Sequence, residues 1–432
     1  MGVTCIINFD NNPHGTYFAG QIVSGQVTLK LDKIKLVKAL TLNISGYAET
    51  QWSESTGTGK DKSSDTYYGR EDYIASQTYL AGSSQSTQIS LEPGVHVYNF
   101  SCQIPATCPS SIEGFYGRVR YMTKVAMVRP WKFDQYYTRC FTVLKIMDLN
   151  YDTPLLKMPT QIETQKVYCC WPCTSSPMQL QMSLPQTGYV SGQIIPVGML
   201  VTNDSHIAVE LLQVSLAMMV TYYAQHLSRS SSRNERILVS KLMGDPVPHH
   251  CKKQFTYHLR VPATAPTCFN LCKIIQIAYQ VEVEARVKGC HRNQVISIPI
   301  TIGSVPMLAY PPMQPQPRDL DEQPTQPLDA KALGGTADLV ATAPPPDINT
   351  PWAVDSSIPP PNYEEALHMR ADMNTINSVQ ATLPPNTLSL DEHGFAPLYP
   401  IFNIPSPTAP SDNADQKGIP NADMNANKGT WL

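Results

Sequence analysis

The chain has no long hydrophobic run, no cysteine after Cys290, and little charge: Asp, Glu, Lys and Arg make up only 16% of its 432 residues. Each shortage excludes something. No apolar stretch approaches the roughly 18 residues that cross a bilayer as a helix. Met1-Gly2-Val3-Thr4-Cys5-Ile6-Ile7 has neither a basic leader nor a long apolar core, so no secretory signal is expected. Ile6 also stands where N-myristoylation at Gly2 would want Ser or Thr. A cytosolic protein follows, peripheral to membranes at most, with its eleven cysteines reduced.

Catalytic signatures are missing too. No G-x-S-x-G, H-E-x-x-H or G-x-G-x-x-G occurs. Thr56-Gly57-Thr58-Gly59-Lys60 lacks the first glycine of a phosphate loop and has Asp61 where a magnesium-binding Ser or Thr belongs, so it reads as a hairpin loop. Cys170-Trp171-Pro172-Cys173 has redox spacing, but thioredoxin-type chemistry needs a helix after the first cysteine and Pro177 argues against one. A zinc site there would need two more ligands, for which Cys268, Cys272, His249, His250 and Cys251 are the candidates. Buried or hinge thiols are the simpler expectation, and palmitoylation of Cys169, Cys170 or Cys173 is a further alternative. No catalytic residue, metal or cofactor is therefore expected.

What is present is divided sharply. Residues 304–432 hold 22 of the 38 prolines and carry 5 Lys and Arg against 15 Asp and Glu, so an overall charge of −3 conceals a basic body and an acidic tail. Such a tail buries too little apolar surface to offset its ordering entropy and is expected to be disordered. The body's basic residues include Lys30, Lys33, Lys35 and Lys38, then Arg118, Arg120, Lys124, Arg129 and Lys132. They read as solvated strand faces, with a cargo or lipid surface as the alternative. Nucleic-acid binding is not expected from so modest an excess without a recognition motif.

The body is written with a period of two. Val27, Leu29 and Leu31 alternate with Thr28 and Lys30, Leu40, Leu42 and Ile44 with Thr41 and Asn43, and Val281, Val283, Ala285 and Val287 with Glu282, Glu284, Arg286 and Lys288. These patterns predict strands with one buried face and an all-β sandwich class. The pattern also repeats. Val23-Ser24-Gly25-Gln26-Val27 is answered by Val190-Ser191-Gly192-Gln193-Ile194, Ile104-Pro105-Ala106-Thr107 by Val261-Pro262-Ala263-Thr264, and Val119-Arg120-Tyr121 by Ile277-Ala278-Tyr279. The expected organisation is a sandwich over residues 1–153, a hinge over 154–166, a second sandwich over 167–303 and a disordered acidic, proline-rich tail over 304–432.

Several separated blocks resemble the α-arrestins, the arrestin domain-containing proteins. They are Gly114-Phe115-Tyr116-Gly117-Arg118-Val119-Arg120-Tyr121, Arg129-Pro130-Trp131-Lys132-Phe133-Asp134, Cys169-Cys170-Trp171-Pro172-Cys173 and Ile298-Pro299-Ile300-Thr301-Ile302-Gly303-Ser304-Val305-Pro306. The resemblance implies two tandem arrestin-type β-sandwiches with no enzymatic activity. Residues 51–90 lack the helical period of visual and β-type arrestins, which counts against a receptor-desensitising arrestin that senses phosphate.

The tail carries short ligands. In Pro359-Pro360-Pro361-Asn362-Tyr363, the polyproline II turn puts Pro360 and Tyr363 on one face, suited to the aromatic groove of a WW domain. The resemblance implies that Pro360, Pro361 and Tyr363 recruit WW-domain HECT-type ubiquitin ligases, with membrane receptors or transporters as cargo for ubiquitination, endocytosis and sorting. A second WW candidate is Pro397 and Tyr399, where Ala396 replaces the first proline. The two tyrosines are 36 residues apart, a span of roughly 30–36 Å for a flexible chain, so a second WW domain would meet a mM-scale effective concentration. Pro407, Thr408, Ala409 and Pro410 resemble the P-[S/T]-A-P ligand of ESCRT-I and mark a candidate vesicle-budding contact.

Overall fold

The computed structural model describes residues 2–307, except 11, 13, 57–62, 86, 171–172 and 175, and then residues 394–402. The first half contains β1 (Val3–Phe9), β2 (Thr16–Phe18), β3 (Ile22–Leu31), β4 (Lys35–Val37), β5 (Ala39–Thr56), β6 (Ser63–Gly82), β7 (Ile89–Leu91), β8 (Gly94–Gln103), β9 (Ile112–Glu113), β10 (Gly117–Val128) and β11 (Gln135–Leu144). The second contains β12 (Thr160–Lys166), β13 (Cys169–Cys170), β14 (Cys173–Thr174), β15 (Met178–Leu184), β16 (Gly188–Val190), β17 (Ile194–Asn203), β18 (Val209–His226), β19 (Arg229–Met243), β20 (Cys251–Arg260), β21 (Ile275–Val287) and β22 (Gln294–Gly303). Among the described residues the only helix is the 3-10 turn Pro154–Lys157. None is long and apolar enough to cross a membrane.

The predicted alternation becomes alternating burial. Val27, Leu29 and Leu31 are 0–2% exposed, and Val281, Val283 and Ala285 are wholly buried. In the first half, sheet β1-β3-β8 faces β2-β11-β10-β5-β6, with Phe9 edge-on to Phe141 at 5.7 Å between them. In the second, β12-β15-β17-β20 faces β16-β22-β21-β18, with β19 on the far side of β18. The inner sheets join where Gln225 of β18 pairs with Tyr68 of β6.

The repeat is real in three dimensions, but its first block is displaced from the sequence match. Gly192 corresponds to Gly20, not to Gly25. Gly20 and Gly192 both have φ of 97°, a left-handed conformation that suits glycine. Gln21 Oε1 accepts from Phe18 N (2.8 Å) and Gln193 Oε1 from Val190 N (2.9 Å), each closing the turn in the same way. Gly25 instead lies inside β3, where a Cβ would collide with the Asn8 carbonyl and stand 2.7 Å from the Phe100 ring. The Ser-Gly-Gln string occurs twice in related places, and only backbone conformation distinguishes turn from strand. The other two matches coincide with equivalent structure. Ile104 and Val261 each exchange backbone hydrogen bonds with the turn residues, and Tyr121 and Tyr279 each donate to a buried carbonyl, Pro109 O and Ala265 O.

Two expectations about the connecting segments change. Of the residues read as a hinge, Thr160–Lys166 is strand β12, laddered along its length to β15, because its Ile162 packs against the core. Within the tail expected to be disordered, residues 394–402 lie against the body. Phe395, Leu398, Tyr399, Ile401 and Phe402 give that short stretch the apolar surface that the surrounding tail sequence lacks.

Candidate functional site

The junction between the sandwiches includes one of the blocks that carried the resemblance, Gly114 to Tyr121, beside residues of the long strands β5, β6, β18 and β19. β5 and β6, 18 and 20 residues long, reach from the first half onto the second. Thr50 Oγ1 donates to Tyr223 O (2.7 Å), His226 Nδ1 lies 2.8 Å from Thr66 O, and Glu54 accepts from Ser231 (3.0 Å) and pairs with Arg233 (2.9 Å). A hydrogen bond from Trp52 Nε1, followed by that from Ser231 and the charge of Arg233, holds the Glu54 carboxyl below its usual pKa. Tyr116 stands edge-on to Tyr222, whose hydroxyl donates to Glu235 Oε2 at 2.6 Å, and Phe115 N donates to the same oxygen at 3.0 Å. A side chain on Gly114 would collide with the Tyr222 hydroxyl, which accounts for the glycine at the head of that block.

The tail segment bonds to both sandwiches. Leu398 N donates to Thr142 Oγ1 (3.0 Å), and the Tyr399 hydroxyl donates to Ser111 O (2.8 Å), both in the first half. Phe402 N donates to Ser191 O (3.0 Å) in the second. Tyr399, partly exposed as a whole residue, packs against the main core and points its hydroxyl inward, where burial holds the phenol well above its ordinary pKa. Ile401 and Phe402 are 0% and 1% exposed, and Phe402 completes a separate small core with Leu149, Leu156 and Val190. A cavity of only about 10 Å³ remains beside Leu144, Thr264, Pro266 and Phe402, about the least that holds one water. A Cβ on Gly192 would collide with the Phe402 carbonyl and lie 2.8 Å from Ile401 Cγ2.

Of the predicted ligand residues, Pro397 and Tyr399 belong to this docked segment. Pro360, Pro361, Tyr363, Pro407, Thr408, Ala409 and Pro410 lie outside the described residues. Sequence reading missed Ile401, Phe402 and Gly192 as binding residues. The signal available was Leu398-Tyr399-Pro400-Ile401-Phe402, an apolar run inside a tail otherwise rich in proline and polar residues.

The basic residues of the first half are less uniform than expected. Arg120 is buried and forms a two-pronged pair with Glu113, both bonds 2.8 Å, because the Glu113 carboxylate lies within reach across β9 and β10. Arg118 pairs with Glu49. At the β10–β11 turn, by contrast, Trp131 and Phe133 are 102% and 94% exposed. That tip is held in shape by Arg129, whose N donates to Asp134 Oδ1 (3.1 Å) and whose Nε donates to Phe133 O (2.8 Å).

The cysteine candidates take ordinary structural places. Cys170 and Cys173 are register partners in the β13–β14 ladder, so the described residues that follow the first cysteine form a strand and not the helix the redox reading requires. Cys268 and Cys272 are buried, and burial pushes the Cys272 thiol up to about 11. Among the described residues no group of three His, Cys, Asp or Glu is placed to hold a metal.

Comparison with known proteins identifies the body. The family model for the arrestin (or S-antigen) N-terminal domain matches residues 5–150, and that for the arrestin (or S-antigen) C-terminal domain matches residues 174–307. The chain is an α-arrestin, a member of the arrestin domain-containing family. Arrestin domain-containing protein 17 of Caenorhabditis elegans is 29% identical over 307 residues, 69% of this chain and 70% of that protein. Arrestin domain-containing protein 4 of Mus musculus is 25% identical over 307 residues, 70% and 72%. Arrestin domain-containing protein 1 of Homo sapiens is 23% identical over 307 residues, 70% and 65%. The likeness spans both sandwiches of this α-arrestin and supports an arrestin-like adaptor role.

Proposed function

We propose that this α-arrestin links membrane cargo to WW-domain HECT-type ubiquitin ligases, promoting cargo ubiquitination, endocytosis and sorting by tethering, without catalysis of its own. The observation that carries the reading is Pro360-Pro361-x-Tyr363 on the same chain as a two-sandwich arrestin body. A short motif supplies little affinity alone, and holding ligase and cargo on one chain raises their local concentration. Recruitment to plasma membrane and endosomes belongs to this reading, as does an ESCRT-I contact through Pro407, Thr408, Ala409 and Pro410. The rival reading, a phosphate-sensing receptor-desensitising arrestin, draws less support, since Arg118 and Arg120 are already paired with Glu49 and Glu113.

A pulldown with the full chain and with Tyr363→Ala, read by mass spectrometry, tests the proposal. The ligase is expected to disappear with Tyr363→Ala while cargo remains, and unchanged ligase capture would remove the reading. The membrane-facing surface of the body is proposed to be the β10–β11 tip, where Trp131 and Phe133 project beside Arg129 and Lys132. Exposed aromatics flanked by cations suit an anionic bilayer interface. Trp131→Ala with Phe133→Ala is expected to weaken co-sedimentation with phosphatidylserine vesicles by about tenfold, and equal sedimentation would discard this surface.

A further inference from the structure

We infer that the crevice between the two sandwiches is a peptide-binding site whose ligand is the chain's own residues 396–402, and that Tyr399 is held there or by a WW domain but not by both. The crevice has the properties of a built site. Each half supplies a backbone or side-chain acceptor for the segment: Ser111 O and Thr142 Oγ1 from the first, Ser191 O from the second. Recognition is of an extended, proline-flanked apolar peptide. Its amides at Leu398 and Phe402 are satisfied, Ile401 and Phe402 are buried, and Tyr399 sends its hydroxyl inward.

The duplicated fold supplies an internal control. Gly20 and Gly192 make the same turn with the same φ, yet a Cβ on Gly20 would meet nothing nearer than Ala106 at 3.8 Å, whereas one on Gly192 would collide with Phe402. Turn geometry calls for glycine at both positions, but among the described residues only the second has a tail peptide lying against it. The bound segment also ties the halves together, since it bonds to both and its Phe402 fills a core made by the connecting residues Leu149 and Leu156.

Competition follows from the shared residue. A WW groove grips the tyrosine ring together with its prolines, and the Tyr399 side chain is packed against the core of the body with its hydroxyl bonded to Ser111 O. Capture of this second motif therefore requires the segment to leave, whereas Pro360, Pro361 and Tyr363 are subject to no such requirement. This second half of the inference rests on the ligase-recruiting reading, but the first half does not.

The test uses the full chain. Hydrogen exchange at the Leu398 and Phe402 amides is expected to be slowed at least tenfold relative to an unstructured peptide of residues 394–403, and to lose that protection in Ile401→Ala with Phe402→Ala. Amides that exchange at the free-peptide rate in the unaltered chain, or protection unchanged in the double variant, would overturn the binding site. Sharing is read in the Tyr363→Ala background, with a recombinant WW-domain fragment as probe. The fragment is expected to bind at least tenfold more tightly once Ile401→Ala and Phe402→Ala are added, and to lose that gain with Tyr399→Ala. No gain, or a gain that survives Tyr399→Ala, would overturn the sharing. If the fragment fails to bind even the unaltered chain, the ligase reading and the sharing fall together, while the exchange result still decides the crevice.

Discussion

At Gly20 and at Gly192 the chain makes one turn twice, with matching dihedral angles, matching glutamine hydrogen bonds and matching bonds to Ile104 and Val261, and then uses the two copies differently. The first copy closes a sandwich, and among the described residues no tail segment lies against it. The second does the same and also receives the tail segment. Duplication thus preserved the local geometry that closes each sandwich, while binding appeared in one half through the shape of the surface around the turn. The electrostatics of the halves diverge in the same way. Arg120–Glu113 in the first half is enclosed, with the arginine side chain 4% exposed, whereas in Arg236–Glu282 of the second the arginine is 44% exposed.

Breaking those pairs should separate the halves most strongly. Glu113→Ala removes the carboxylate from a buried guanidinium and is expected to cost about 3–5 kcal/mol. Glu282→Ala leaves Arg236 free to reach water and should cost about 1 kcal/mol. Denaturant unfolding compares them, and equal losses would refute the contrast. Glu282 also carries a pH signature. Burial raises its pKa, but the hydrogen bonds from Arg236 and Gln280 outweigh this and hold it below its ordinary value. Its contribution is therefore present above the unfolded carboxyl value of about 4.3 and is lost as pH falls through the lower folded value. The stability gap between the unaltered chain and Glu282→Gln should accordingly narrow in acid.

The glycine pair comes next. Gly20→Ala should cost about 1 kcal/mol, from the positive φ alone. Gly192→Ala should cost about 2–3 kcal/mol, because it adds displacement of the tail. Exchange protection at Leu398 should survive the first substitution and vanish in the second, and parallel behaviour would erase the proposed asymmetry. The smallest effects are expected at the matched tyrosines. Tyr121→Phe removes one bond to Pro109 O and should cost about 1 kcal/mol. Tyr279→Phe leaves both Ala265 O and Thr264 Oγ1 without their partner and should cost slightly more, about 1–2 kcal/mol, by thermal or chemical unfolding.

Strand faces were legible because alternation is local: Val27, Leu29 and Leu31 are buried as their period requires. Glu282 escaped the same rule. Its position alternates toward the outer face, yet it is 8% exposed, since Arg236 and Gln280 of the folded chain close over it. Arg120 escaped for a similar reason, its partner Glu113 being brought close by the β9–β10 pairing. The Gly25 match misled because a repeated string was weighed without its dihedral angle. Tyr399 was expected as part of a WW-domain ligand, and its place against this chain's own sandwiches was illegible in the sequence.

The sequence by itself determined the β class, the duplication, the division between basic body and acidic proline-rich tail, and the family. Periodicity, turn residues and ordered motif blocks act over a few residues or recur in order, so the one-dimensional string preserves them. Tertiary structure decided which carboxylates meet Arg118 and Arg120, how Gly114 admits Tyr222, and where residues 394–402 come to rest. Those outcomes join positions up to 256 and 288 residues apart, as at Thr142 with Leu398 and Ser111 with Tyr399. Contacts of that range depend on the fit of surfaces that exist only once both sandwiches have formed, and the missing Cβ of Gly192 has a ligand to admit only then.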